Sequence, residues 1–286
     1  MGSSLDFRLF VERTSRAMAG VIDLRSARKH LKTLTTAAVR SLDDRGWALA
    51  GDFGLRLLRV VLLLSLWRTV LPETGATSGM TRAAVLTYTL ISEVFAGQFS
   101  VNNSLDDALW RGDIANRFLR PASVYGQFTA EMLGTRLRDL LLVSLPLICL
   151  APLLGVNPFP ASAGALLLFV CSLALSILVG SALAFLFSSL MVVLEQNVYA
   201  LMQIRNALSV LLSGAVIPLA LMPWGIGEVL GYLPFAALAS APLRIYTGTG
   251  DALLLLALQA GWAAVLWPLA HLMWSANRER LVTHGG

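Results

Sequence analysis

Long apolar stretches separated by short polar segments dominate the sequence from about residue 53 onward. Six of these stretches approach the ~20 mostly apolar residues that an α-helix needs to cross a bilayer. They are residues 53–71, 82–99, 137–154, 163–187, 198–221 and 252–273. The pattern predicts an all-α polytopic membrane protein with six transmembrane helices.

Residues 1–52 follow a different pattern. Apolar residues such as Val21, Leu24, Leu31 and Leu34 recur there at helical spacing, and nine Lys and Arg residues surround them. A helix with one apolar face and one basic face suits the inner surface of a membrane. We therefore divide the chain into a cytoplasmic or interfacial amphipathic segment, 1–52, and a transmembrane domain, 53–286. A basic tail without fixed structure is the alternative for the first segment.

The composition narrows the class of protein. Hydrophobic residues make up 56% of the 286 residues and charged residues only 14%, against ~25% charged residues in a typical soluble domain. A soluble chain of this length could not bury so much apolar surface, so a soluble enzyme, a disordered protein and a disulfide scaffold are excluded. The net charge of +5 fits basic loops beside a membrane, and no nucleic-acid partner is expected.

The distribution of basic residues predicts the orientation. Basic residues concentrate in 1–52, in 100–138 and in the C-terminal tail, whereas 155–162 holds none and 222–250 holds only Arg244. Because Lys and Arg accumulate on cytoplasmic loops, both termini should be cytoplasmic.

Motifs for chemistry on this chain are missing from the sequence. The two lysines, Lys29 and Lys32, do not follow glycine in a phosphate-binding P-loop pattern, and the three histidines show no metal-ligand spacing. No nucleophile elbow is present. The sequence therefore predicts neither an enzyme nor a cofactor or metal site on this chain.

The connection Ser104–Pro121 predicts a compact cytoplasmic unit. Ser104 can cap a first helix, Gly112 can end it, Asp113 can cap a second helix, and Pro121 stops that one. We interpret residues 104–121 as a docking unit for a cytoplasmic partner. An interfacial helix that rests on lipid headgroups is the alternative.

The apolar segment between the last two stretches is rich in proline. Pro218, Pro223, Pro234 and Pro242 rule out one straight helix through it. We expect residues 222–250 to form short helices that dip into the outer leaflet. An ordinary interfacial loop is the alternative.

Two features lie inside the predicted spans. Small residues recur every fourth position from Ser172 to Ser188, a spacing that lets helix backbones approach closely within one subunit or between two. Glu93 is the one carboxylate well inside a stretch. We interpret it as a helix-pairing or gate residue, with a proton relay as the alternative.

Three sequence motifs together resemble the membrane subunit of a type-2 ABC transporter, in the branch whose ATPase and permease are separate polypeptides. GDIANRFLRP, residues 112–121, is similar to that branch's motif in the first cytoplasmic loop. Residues 213–248 resemble its signature between spans five and six, and RLVTHGG, residues 280–286, resembles its C-terminal ending. The resemblance covers about residues 40–286, and residues 1–40 exceed the usual short amphipathic start.

The resemblance implies a permease fold of six membrane helices preceded by an interfacial helix. It implies two ABC ATPase subunits that bind Mg-ATP beneath two permease subunits, which are two copies of this chain or one copy and a related permease. It also implies membrane lipids as neighbours and a bacterial cytoplasmic (inner) membrane as the location.

The resemblance also implies residue roles. The residues expected to couple to the ATPase are Leu105, Leu109, Arg111, Gly112, Asp113, Ile114, Arg117, Phe118 and Leu119. Those expected at the outer gate are Pro218, Pro223, Trp224, Pro234 and Phe235. Those expected along the translocation path are Glu93, Phe99, Asn206 and Ser213.

The function implied is export of an amphipathic small molecule, such as an antibiotic, a drug or a lipid-like metabolite, by ATP-driven alternating access. An ion-coupled secondary carrier or channel without an ATPase is the first alternative. A membrane-embedded enzyme or assembly factor is the second.

Overall fold

The structure is a computed structural model that describes residues 46–73, 76–77, 79–102, 104–111, 117, 124–194 and 198–283. The predicted amphipathic helix before residue 46 lies outside the described residues. The elements, in chain order, are α1 (Gly46–Val70), β1 (Ala76–Thr77), β2 (Met80–Thr81), α2 (Arg82–Val94), α3 (Ala96–Phe99), α4 (Ser104–Arg111), α5 (Val124–Asp139), a π-helical turn (Leu140–Ser144), α6 (Leu145–Leu150), a 3₁₀ turn (Ala151–Leu154), α7 (Ala163–Leu194), α8 (Val198–Leu212), two 3₁₀ turns (Leu219–Leu221 and Pro223–Gly225), α9 (Ile226–Gly231), α10 (Ser240–Thr247) and α11 (Ala252–Thr283).

The first two long helices form a hairpin. A short antiparallel β1–β2 pair, with Ala76 opposite Thr81, turns the chain after α1. Thr81 then caps α2, because its hydroxyl accepts a hydrogen bond of 3.2 Å from the amide of Ala84. The sequence predicts one helix over 82–99, but the helix breaks at Phe95 into α2 and α3. Hydropathy alone does not reveal such a break, because both halves are apolar.

The third apolar stretch is longer than its hydropathy predicts. Helix α5 begins at Val124 rather than near residue 137, and the path continues through the π-helical turn and α6 to Leu154. Helix α5 carries Glu131, Arg136 and Arg138, which lower its hydropathy without preventing a helix.

Each of the six predicted stretches contains helix, but not every helix meets the criteria for a span. In the described part of the chain, three segments are long and apolar enough to cross a membrane: Gly126–Leu154, Ala163–Leu194 and Ala252–Asn277. The charged residues of α1, the break between α2 and α3, and the 15-residue length of α8 explain why the others do not qualify. The multi-pass helical fold is therefore confirmed, and the number six stays a prediction.

Helix α7 lies at the centre of the fold and packs along α11 and α10. Its small-residue positions, 172, 176, 180, 184 and 188, are all buried inside this one chain. Ser172 donates a hydrogen bond of 2.7 Å to Gln259 of α11, and the hydroxyl of Ser176 donates to the carbonyl of Leu238. The close approach thus serves packing within the subunit, the first of the two alternatives.

The proline-rich segment forms short helices and turns. Helix α8 ends at Leu212, and two 3₁₀ turns, α9 and α10 follow before α11 begins at Ala252. Helix α10 is the buried member of this segment: Leu243, Ile245 and Tyr246 join an apolar cluster with residues of α2 and α7. The depth of the segment in a membrane stays a prediction.

Candidate functional site

One face of helix α4 packs against the rest of the protein, and the other face is exposed. Leu105, Asp106 and Ala108 are buried, and Leu105 and Ala108 pack in an apolar cluster with Phe128 and Phe185. On the other face, Asp107, Trp110 and Arg111 are exposed, and Leu109 is half-buried. The helix is therefore fixed to the body along one side while the other side stays open to a partner.

The rest of the predicted docking unit is only partly described. Gly112, Asp113, Ile114, Phe118 and Leu119 lie outside the described residues. Arg117 is described, and its guanidinium pairs with Glu131 of α5 and lies 5.0 Å from the centre of the Phe128 ring. The carbonyl of Arg117 accepts a hydrogen bond of 3.0 Å from the side-chain amide of Gln127. Residue 117 is therefore attached to α5.

The structure reveals an ion pair that the sequence interpretation missed. The carboxylate of Asp106, on the buried face of α4, pairs with the guanidinium of Arg205 in α8, and each side chain is only 1% exposed. Ser188 of α7 donates a hydrogen bond of 2.5 Å to the same carboxylate. The isolated arginine within the apolar stretch 198–221 was the available signal, because ionisable residues inside such stretches usually have a partner.

A second set of ion pairs joins α1 to its neighbours. Arg56 donates two hydrogen bonds, of 2.6 and 3.2 Å, to the carboxylate of Asp139 at the end of α5. A guanidinium nitrogen of Arg59 lies 3.7 Å from a carboxylate oxygen of Glu93 in α2. Arg68 donates a hydrogen bond of 2.5 Å to the carbonyl of Leu154. The arginines of α1 thus serve helix packing, and Glu93 takes part in one of these contacts.

The four residues predicted along a translocation path lie in different surroundings. Glu93 faces Arg59, whereas Phe99 is buried in an apolar cluster that includes Tyr88. The side-chain oxygen of Asn206 faces the guanidinium of Arg205 at 3.4 Å, and the carbonyl of Ser213 accepts a hydrogen bond of 2.9 Å from the amide of Ser240. No hydrogen bond or ion pair of the described residues joins any two of the four.

The five residues predicted at an outer gate also differ from one another. Pro218 is buried before the first 3₁₀ turn, and Pro223 is exposed at the start of the second. Trp224 is 91% exposed and has a left-handed backbone, with φ of 59°. Pro234 and Phe235 are half-buried, and Phe235 packs against a cluster that contains Leu238.

A cavity of about 220 Å³ lies in the proline-rich segment, beside the start of α11. Three charged side chains and several leucines line it. The lining residues are Gly227, Glu228, Gly231, Tyr232, Arg244, Asp251, Leu254, Leu255 and Leu258. Within the described ranges, no group of three or more His, Cys, Asp or Glu side chains could hold a metal ion.

Comparison with known proteins gives one family. The family model described as "ABC-2 family transporter protein" matches residues 57–285, which include all helices from α2 to α11 and most of α1. A search of curated proteins finds no match to this chain.

Proposed function

The chain belongs to the ABC-2 transporter family, and on that premise we propose that it is the permease subunit of an ATP-driven exporter with a separate ATPase. The family is a transport component of membranes rather than a catalytic one, so ATP hydrolysis belongs to the partner. Two ATPase subunits would bind Mg-ATP beneath two permease subunits, either two copies of this chain or one copy with a related permease.

The observation that carries the proposal is the arrangement of α4. A helix moves other parts of a protein only if it is attached to them, and Leu105, Asp106 and Ala108 attach α4 to the body. Its exposed face presents an aromatic ring and a guanidinium, from Trp110 and Arg111, and these are the residue types that dominate protein interfaces. Arg117, held by Glu131, adds a second cation beside it.

The mechanism follows from this attachment. Binding of ATP closes the ATPase dimer and pushes the α4 unit of each permease subunit. The shift reaches α1, α2 and α8, which open a path between the two subunits toward the outer face. An amphipathic small molecule, such as an antibiotic, a drug or a lipid-like metabolite, would cross there, and the largely apolar helices with scattered polar side chains are compatible with such a cargo.

The proposed setting is a bacterial inner membrane that the chain crosses six times, with both termini in the cytoplasm. The basic residues in and after α4 support this orientation, because Arg111 and Arg117 lie between α3 and α5.

Affinity purification of the tagged chain from its own membrane, followed by mass spectrometry, tests the proposal. A P-loop ATPase should copurify with the wild type. It should be lost in Arg111→Glu, because this change reverses a charge on the exposed face of α4. Glu228→Lys, an exposed charge change in the proline-rich segment, is the matched control and should retain the ATPase.

Two outcomes would contradict the proposal. One is the absence of any P-loop ATPase from an intact, gently solubilised wild-type complex. The other is transport by vesicles that contain this chain alone, driven by an ion gradient. The second outcome would favour a secondary carrier.

A further inference from the structure

Helix α8 buries little of its surface against the rest of the chain. Of its 15 residues, Arg205 is the one with a buried side chain. Neighbouring side chains such as Ile204, Val210 and Leu211 are at least half exposed. A helix of this kind can shift without disturbing an apolar core, but it must follow whatever holds Arg205.

Arg205 is held by the α4 region. Its guanidinium pairs with Asp106 and also donates a hydrogen bond of 3.0 Å to the side-chain oxygen of Asn102, two residues before α4 begins. The ring of Trp110 in α4 lies 6.1 Å, centre to centre, from that of Tyr199 in α8. Both links between the two helices therefore start in or beside the helix that we assign to the ATPase contact.

A buried ion pair makes a stiff connection. Apolar surfaces can slide over one another at little cost, because their contacts are not directional. Separation of Asp106 from Arg205 would instead leave two unpaired charges where water does not reach them. Ser188 occupies the second oxygen of the carboxylate, so that Asp106 also keeps its place against α7.

We propose that the Asp106–Arg205 pair is the joint through which a displacement of α4 moves α8. Both are positioning residues: they contact neither ATP nor cargo, and their role is to make the two helices move together. This inference rests on the proposed function, because it requires a partner that moves α4.

Two reporter positions distinguish a failure of the proposed joint from a failure of the proposed function. The complete transporter with its ATPase is reconstituted in nanodiscs, with Cys149 and Cys171 replaced by Ser. A single cysteine carrying a bimane fluorophore is placed either at Asp107, on the exposed face of α4, or at Leu211, which is 63% exposed near the end of α8. The readout is the change in fluorescence when Mg-ATP is added.

In the wild type, both reporters should respond to Mg-ATP. In Asp106→Asn and in Arg205→Gln, the reporter at 107 should still respond, while the response at 211 should fall by about five-fold or more. Arg205→Lys keeps the charge and should retain most of the response at 211. Asp139→Asn is the matched control, because it breaks the Arg56 pair between α1 and α5 and should leave the response at 211 intact.

An unchanged response at 211 in both Asp106→Asn and Arg205→Gln would contradict the proposed role of the ion pair. Loss of the response at both reporters in the wild type would instead overturn the proposed function, and the joint with it. If Asp106→Asn does not assemble, the comparison of Arg205→Lys with Arg205→Gln decides in the same way. Equal responses at 211 in these two variants contradict the joint.

Discussion

At the scale of single residues, Trp224 has an unfavourable backbone conformation. It is the non-glycine residue with positive φ within the described ranges, and its side chain is 91% exposed. The left-handed conformation costs an L-residue roughly 1–2 kcal/mol. Strain of this kind often marks a functional position.

Trp224→Gly should therefore raise the free energy of unfolding by about 1 kcal/mol, because glycine adopts positive φ without that cost. Urea unfolding in detergent micelles measures the change. Gly225→Ala, at a neighbouring position with φ of 71°, should have the opposite effect. A loss of stability in Trp224→Gly would mean that the exposed indole makes contacts that outweigh the backbone strain.

Gly97 stands where α3 meets the end of α5. A Cβ atom on this residue would lie 2.0 Å from a carboxylate oxygen of Asp139, which accepts hydrogen bonds from Arg56. Gly97→Ala must displace that carboxylate and loosen the ion pair, and we expect it to lower the free energy of unfolding by about 3 kcal/mol.

Thermal unfolding of the purified chain in detergent tests this expectation, with Gly54→Ala as the control. Gly54 lies inside α1, and a Cβ atom on it would meet no other atom within 4 Å, so alanine there should stabilise the helix by about 1 kcal/mol. Equal effects of the two substitutions would contradict the steric argument.

At the scale of helices, the small-residue face of α7 controls how closely its neighbours approach. A Cβ atom on Gly180 would lie 3.3 Å from Leu238, 3.4 Å from the carbonyl oxygen of Ser100 and 3.5 Å from the guanidinium of Arg136. Alanine nearly fits in this space, whereas any longer side chain meets three different segments.

Gly180→Leu should therefore prevent a stable fold, while Gly180→Ala should cost at most about 1–2 kcal/mol. Size-exclusion chromatography in detergent, with the yield of monodisperse protein as the readout, compares the two variants. Val170→Leu, on an exposed face of the same helix, is the control and should give a normal yield. A normal yield for Gly180→Leu would show that α7 can move away from Leu238, Ser100 and Arg136 without loss of the fold.

The helices also show how far the sequence predicts this fold. The first helix predicted from Ser104 agrees with α4, although the buried Ser104 hydroxyl forms no capping hydrogen bond and the predicted stop at Gly112 lies outside the described residues. The break at Phe95 and the π-helical turn at Leu140–Ser144 were not predicted, since hydropathy averages over such details. The partner of Asp106 is 99 residues away along the chain. Only the packing of α4, α7 and α8 brings these residues together.

At the scale of the whole molecule, the exposed apolar residues are as informative as the buried ones. Leu55, Leu58, Leu62 and Leu66 line one face of α1 at helical spacing, and each is at least half exposed. In the proposed assembly, lipid or a second permease subunit covers such a face. The buried side of α1 is also apolar, through Val60, Leu64 and Trp67, so this helix is apolar on both its inner and its outer face. Arg56 pairs with α5 at the edge between the two faces.

The orientation of the molecule gives the last prediction. If basic loops face the cytoplasm, a cysteine at Asp107 lies inside the cell and a cysteine at Trp224 lies outside, since 222–250 holds only Arg244. With Cys149 and Cys171 replaced by Ser, a membrane-impermeant maleimide applied to intact cells should label position 224. Position 107 should be labelled only after the membrane is opened. Both positions are exposed in this chain, so its own fold does not limit the reaction at either. Labelling of position 107 in intact cells would place α4 on the outer side, where no ATPase could reach it, and would contradict the orientation and the coupling role together.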